Sequence, residues 1–292
     1  MSNPIAKGGT HELKETYAKE IVELARLETN VYNDFSEDFE KDEVTGQIKI
    51  PTRDGDVKVS EYDVKNGVEL TQSKTEYMDM PLDKTYAVNE LIDGYEAEAV
   101  PDNLKAQRLE SAGYVLGVKQ ENDAIETLIK EGTDADPNYT KLTKANAYEK
   151  ISARVINMKK RGMKVAKMRI VISADVEALL LADEKFANTA STVGAELIRE
   201  GVIGKINGVA VKPNYFLPEN IDFIIYDVRY TQKAMIWKKA PAINNLADGK
   251  HIGASALQGR SVGGLKVTNA LGVDVKRNSA DPSESGESGS QN

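Results

Sequence analysis

Apolar residues first recur at three- and four-residue steps: Leu13, Tyr17, Ile21 and Leu24 share one stripe, with Glu and Lys opposite. That spacing predicts an amphipathic helix over 10–28. A terminal helix of this kind either packs on its own domain or docks on a partner. The chain turns strongly acidic from Phe35 to Glu43, and the period then changes. Gln47–Ile50 and Asp56–Ser60 alternate polar and apolar, as strands do, and Val68–Thr71 and Tyr77–Met80 continue the pattern. Asp54-Gly55 and Asn66-Gly67 are turn signals. An extended, hairpin-like arm over 44–82 is the expectation. It has few large apolar residues for its length, so it needs another surface to rest on.

A short strand at Thr85–Val88 precedes the longest helical pattern, 102–131, opened by Pro101-Asp102. Leu104, Ala112, Leu116, Ile125 and Leu128 mark its buried side, and Gly132 ends it. Gly113 and Gly117 lie inside it, four apart, where each costs up to about 1 kcal/mol against Ala. Close approach of another backbone would account for them. A polar loop follows over 133–140.

Beyond Lys141 the pattern is mixed α/β. Asn146–Arg161 reads as a helix with Tyr148, Ile151, Val155 and Met158 on one face and Gly162 as its stop. Met168–Ile172 reads as a strand, followed by a helix capped by Ser173 and running through Leu181. A short helix is expected at Val193–Glu200, and strands at Val209–Val211, Phe223–Tyr226 and Ala234–Trp237. One further β-like segment covers 262–275. The Ser-, Gly- and acid-rich end, Ser279–Asn292, has no apolar residue larger than Ala280 and is expected to be disordered.

Composition narrows the function classes. The 292 residues include 40% hydrophobic residues, enough for a sizeable core. No apolar run approaches the ~18 residues of a membrane helix, and the polar start Met1–Lys7 lacks a signal-peptide core. Cysteine is absent, which excludes disulfides, thiolate metal sites and cysteine nucleophiles. The net charge of -8 argues against sequence-specific nucleic-acid binding but fits a container with a repelling wall.

The sequence offers little chemistry. His11 and His251 are the two histidines, and neither comes with a Gly-x-Ser-x-Gly elbow or a metal-binding spacing. Gly201–Gly208 is glycine-rich but matches neither phosphate-loop spacing, and it follows a helix and precedes a strand. It reads as a helix stop and a β-turn. Carboxylates are abundant without distinctive spacing, and Asn138-Tyr139-Thr140 is a sequon with no secretion signal to give it meaning. The basic run Met158–Lys164 reads as a helix end complementing the dipole. No catalytic, cofactor-binding or metal-binding residue is assigned.

The order of elements resembles the major capsid proteins of tailed bacteriophages, the Hong Kong 97 fold, over about 35–277. The most specific stretch is Ile170–Trp237. Val171–Asp175, Leu179–Asp183 and Phe186 look like that family's strand and following helix. Glu200–Asn214 is similar to its turn-and-strand signature, with Phe216-Leu217-Pro218 as the short loop behind it.

The resemblance implies an α+β capsid fold in six parts: an N-terminal arm 1–35, an E-loop 36–84, and a P-domain 85–140 with its spine helix at 102–131. An α/β A-domain 141–249, a P-domain return 250–277 and a tail 278–292 follow. It implies self-assembly as pentamers and hexamers around double-stranded DNA, with a scaffolding protein, a portal protein and optionally a decoration protein as partners. Location would be the virion, and host cytoplasm during assembly; no cofactor, enzyme activity or membrane is implied. Only about 35 residues precede the E-loop, which points to a separate scaffold or to scaffolding by the 10–28 helix. Lys49, Lys58, Lys65 and Lys74 lie in the arm, but nothing marks an acceptor for Lys–Asn crosslinking. The alternatives are an encapsulin-type nanocompartment shell and, from another class, a small-molecule enzyme on 141–249.

Overall fold

The computed structural model describes residues 30–37, 47–54, 61–65, 67, 74–93, 104–134, 138–186, 201–246, 250 and 253–279. The helices expected at 10–28 and 193–200, the strands at 56–60 and 68–71, and the tail beyond Ser279 lie outside these residues.

Ten strands make three sheets among the described residues. β1 (Gln47–Asp54) and β2 (Lys74–Pro81) pair antiparallel, with Gln47 opposite Pro81 and Asp54 opposite Lys74. β3 (Lys84–Ile92), β9 (Ser255–Val267) and β8 (Thr231–Asn245) form an antiparallel sheet in that order. The third sheet has the order β10-β7-β4-β6-β5: Val273–Arg277, Ile221–Asp227, Met168–Ile172, Val209–Pro213 and Gly204–Ile206. Four helices are described: α1 (Val31–Asp34), α2 (Leu104–Glu131), α3 (Ala147–Lys160) and α4 (Ala174–Leu181).

The centre of the five-stranded sheet is covered on both faces, so β7 is buried at every position from Ile221 to Asp227. Alternation along β4 divides the faces. Met168, Ile170 and Ile172 meet Ile151, Val155 and Met158 of α3 and Val176 and Leu180 of α4 in one core. Val171 faces the other way, into a second core with Val31 and Phe35 and with Ala124, Ile125 and Leu128 of α2. At Ser173 the chain turns from strand to helix, and its hydroxyl accepts the Val176 N–H at 3.5 Å.

The long helix spans 28 residues, about 42 Å at ~1.5 Å per residue. Its first half packs Leu109 and Leu116 against Ile92 and Leu257 of the three-stranded sheet. Its second half enters the core under the five-stranded sheet, so one rod joins both sheets. Gly113 and Gly117 are both buried. At the end of α2, Glu131 accepts Lys266 Nζ at 2.6 Å and the Val267 N–H at 2.7 Å, which pins it to β9.

Three strands run further than the pattern indicates. β3 extends to Ile92 and β8 covers 15 residues, because Lys238, Lys239 and Pro241 interrupt the alternation without ending the strand. The register shifts between Trp237 and Lys239 and between Lys239 and Ala242, where an edge strand tolerates proline. β5, read as part of a turn, is a strand paired with β6 through Asn207 (φ 49°) and Gly208 (φ 85°), a two-residue hairpin turn.

The single segment expected at 262–275 is two strands in two different sheets. A 3-10 turn at Ala270–Gly272 separates them, with the Asn269 side chain accepting the Leu271 N–H at 3.0 Å. Sheet membership therefore crosses the expected boundary at 249/250: β8 pairs with β9, while β10 pairs with β7.

The base of the arm rests on the chain itself. Register places Ile48 opposite Met80 and Ile50 opposite Met78. Ile48, Ile50 and Met80 are buried together with Ala234 of β8. Gly264 of β9 sits beneath, where a Cβ would collide with the Pro81 carbonyl oxygen. Asp54 pairs with Lys74 rather than beginning a turn, so the hairpin is longer than its turn signals suggest.

Candidate functional site

His11 and His251 lie outside the described residues. No group of three or more His, Cys, Asp or Glu able to hold a metal occurs among the described residues. Gly201–Gly208 forms β5 and its turn, and Gly204 packs so tightly on the Phe186 ring that a Cβ there would overlap it.

The buried charges join elements. Glu121 of α2 is fully buried and accepts the backbone N–H groups of Asn30, Val31 and Tyr32 at 3.1, 2.9 and 3.0 Å. It also accepts the amide of Asn214, at the end of β6. Burial pushes its carboxyl above the usual range, and the four hydrogen bonds oppose that shift. Arg154 of α3 bonds Asp274 and the Val275 carbonyl of β10, reaches Asp134 at 3.4 Å, and stacks over Phe223. Burial raises the Asp274 carboxyl, with Arg154 pulling against it. Asp227 shows the opposite balance: burial pushes it up, but the Arg229 side chain and backbone hold it below the ordinary value.

The phenol of Tyr226 donates to Asp34 at 2.8 Å, and burial drives its pKa far up. Tyr86 behaves alike beside Asp123, which the pattern of apolar spacing could not foretell. Of these groups, Asp34 also lines a cavity over β6 and β5. What they do is hold α1, α2, α3, β10 and the loop after β6 in one arrangement.

The exposed features are of another kind. At the far end of the arm, Gly67 (φ 69°) returns its N–H to the Asp63 carbonyl at 2.8 Å, closing a tight tip. The tip presents Tyr62 at 74% and Val64 at 88% exposure, with Glu61, Asp63 and Lys65 also exposed. Of the arm lysines, Lys49 is exposed on the hairpin stem and Lys65 at its tip, and Lys58 lies outside the described residues.

No family model and no curated protein matches the sequence. Solved structures match the fold. A structure from Mycobacterium phage Che8 is 17% identical with a TM-score of 0.65, over 85% of this chain and 90% of that chain. The mature capsid of bacteriophage PhiM1 is 14% identical with a TM-score of 0.62, over 87% and 88%. The capsid of Cyanophage P-SCSP1u is 9% identical with a TM-score of 0.66, over 85% and 87%. A virus-like particle from Pyrococcus furiosus is 12% identical with a TM-score of 0.52, over 89% and 97%. The α+β architecture is thus the phage capsid fold of Hong Kong 97 type that the sequence resembles.

Proposed function

We propose that the chain is the major capsid protein of a tailed bacteriophage, assembling as pentamers and hexamers into the head shell around double-stranded DNA. The observation that carries this reading is the agreement in fold with phage capsids over 85–87% of the chain. The exposed Tyr62 and Val64 at the hairpin tip support it, since a neighbouring subunit would cover them. In this reading the protein is structural, with no catalytic, cofactor or metal residue. Its buried charges serve rigidity.

The parts follow the resemblance: N-terminal arm 1–35, E-loop 36–84, P-domain 85–140 and 250–277, A-domain 141–249 and tail 278–292. A scaffolding protein, a portal protein and optionally a decoration protein are the partners. The protein resides in the host cytoplasm during assembly and in the virion afterwards.

Coexpression with the scaffolding protein, followed by light scattering and negative-stain imaging, is the test. Closed shells are expected, and a strictly monomeric protein under those conditions sinks the reading. The likeness to the Pyrococcus furiosus particle favours, as a second reading, an encapsulin-type compartment enclosing enzymes. The contents of purified particles, genome or cargo enzyme, separate the two.

A further inference from the structure

The second core covers only part of its sheet face. α1 and the end of α2 lie over β10, β7 and β4, where Val171, Ile224, Tyr226, Val273 and Val275 are buried. Over β6 and β5 a cavity of about 420 Å³ opens instead. Register assembles its floor. Lys205 pairs with Ala210, and the pairing of Ile170 with Val211 sets Arg169 alongside Ala210. Lys212, paired with Val171, points to the same face two residues further along β6. Three cations on adjacent strands about 4.8 Å apart thus surround one small residue.

Among the lining residues the opposing charge is one carboxylate, Asp34, which receives the Tyr226 hydroxyl and lies 3.7 Å from Arg169 Nε. Arg169 is further held by the carbonyls of Ala166 and Met168. Lys205 and Lys212 have no ion pair among the described residues. No two of these cations are directly opposite, but they share one face around Ala210, where a bound anion would meet all three.

The cations continue past the cavity. Val165 and Ala166 form part of its wall, and Lys164 and Lys167 flank them, both exposed. Lys160 and Arg161 follow at the end of α3, again exposed. The helix dipole accounts for Lys159 and Lys160 in the last turn of α3. It does not account for Lys205 and Lys212, which belong to strands.

We propose that this basic end of the five-stranded sheet binds the phosphate backbone of duplex DNA without reading its sequence. Lys164 and Lys167 carry the positive charge beyond the lining itself, which fits a linear polyanion better than a single ion, because duplex DNA presents a charge about every 1.7 Å along its axis. No lining residue is aromatic, so the cavity offers no platform on which unpaired bases stack. The overall charge of -8 then confines attraction to this end and keeps the binding weak and salt-dependent. The proposal rests on the shell reading only for its meaning, since a head encloses double-stranded DNA.

The test is fluorescence anisotropy of a labelled 30-base-pair duplex with the full-length, unassembled protein over a potassium chloride series. Wild-type protein should bind. K205E/K212E should bind at least about tenfold more weakly, with a salt slope shallower by about 2, since each phosphate no longer neutralised lowers the slope by about 0.9. K144E/K150E, with the same charge change at the other end of α3, should keep the wild-type slope. K205Q/K212Q with near-ultraviolet circular dichroism covers the case in which the acidic pair unfolds the protein.

Equal binding by wild type and K205E/K212E overturns the proposal. So does an equal loss in K144E/K150E, and so does displacement of the duplex by polyglutamate at matched charge, which would assign the cavity to an acidic segment of another copy. Light scattering of the same samples with scaffold reports the shell reading separately. DNA binding without assembly sinks that reading alone, and assembly without DNA binding sinks this one alone.

Discussion

Glu121 accepts the Val31 N–H at 2.9 Å, although 90 residues separate them in the chain. The carboxylate closes the start of the short helix α1 from outside, doing for three backbone N–H groups what a local cap does elsewhere. It thereby fastens α1 to α2. Lys233 completes the attachment, donating to the Tyr32 carbonyl at 2.7 Å and lying 4.5 Å from the Tyr32 ring centre.

Glu121→Ala should destabilise the subunit by about 3 kcal/mol or more, because it leaves several buried donors without an acceptor. Glu121→Gln, which keeps one acceptor oxygen, should cost less. Urea unfolding measures both. A loss under about 1 kcal/mol for the alanine variant would show that the clasp is dispensable.

Asp222 is buried, bonds Asn278 through one carboxyl oxygen, and has no hydrogen-bond partner for the other among the described residues. Burial raises its carboxyl above the ordinary value of 3.8. A carboxyl whose folded pKa lies above its unfolded one binds its proton more tightly when folded. Its stabilising share is therefore fully present below the unfolded value and is lost as pH rises through the folded one. Asp222→Asn should accordingly gain stability relative to wild type at pH 7, and that advantage should shrink on acidification toward pH 4. Unfolding midpoints of the pair across this range give the answer; a difference independent of pH would contradict the shift.

Gly264→Ala should loosen the base of the arm, since the new methyl group meets the Pro81 carbonyl oxygen and the backbone must move. A cost of about 1–3 kcal/mol is expected for such overpacking. Faster hydrogen exchange should appear at Ile48, Ile50 and Met80. Unchanged exchange there would mean that β2 and β9 separate without consequence.

Hydrogen exchange of the wild-type arm should itself divide in two. Amides of the paired stretches 47–54 and 74–81 should already be protected in unassembled protein, because their apolar face is buried on Ala234. Amides of 61–67 should exchange fast until shells form and slowly afterwards, as Tyr62 and Val64 become covered. Uniformly fast exchange along the whole arm would refute the packed base.

Truncation after Asn278 should leave the melting temperature nearly unchanged, since the residues beyond it offer almost no apolar area. Truncation after Lys276 should lower it by several degrees. It removes the Arg277 bond to the Ile129 carbonyl at 2.9 Å and the Asn278 bonds to Asn220, Glu219 and Asp222. Differential scanning calorimetry of the two truncations decides.

Local pattern determined a good deal about this protein. The stripe Leu116, Ile125 and Leu128 identified α2, the stripe Ile151, Val155 and Met158 identified α3, and alternation identified β4 and the hairpin. These depend on nearest-neighbour geometry, which the side-chain period records directly. Resemblance along Ile170–Trp237 then carried the fold.

Only the tertiary structure decided which sheet each late strand joins. β8, β9 and β10 are all apolar alternating segments, and nothing local distinguishes a partner at β3 from one at β7. That choice belongs to pairings between residues far apart in the chain. The same holds for Glu121 and Arg154, which look like ordinary helix-surface charges until Val31 and Asp274 arrive to meet them. It holds also for Lys205, Lys212 and Arg169, which strand pairing alone gathers around Ala210. Spacing along a chain fixes what a segment can form. Which surfaces then meet depends on shape and charge complementarity across the whole fold.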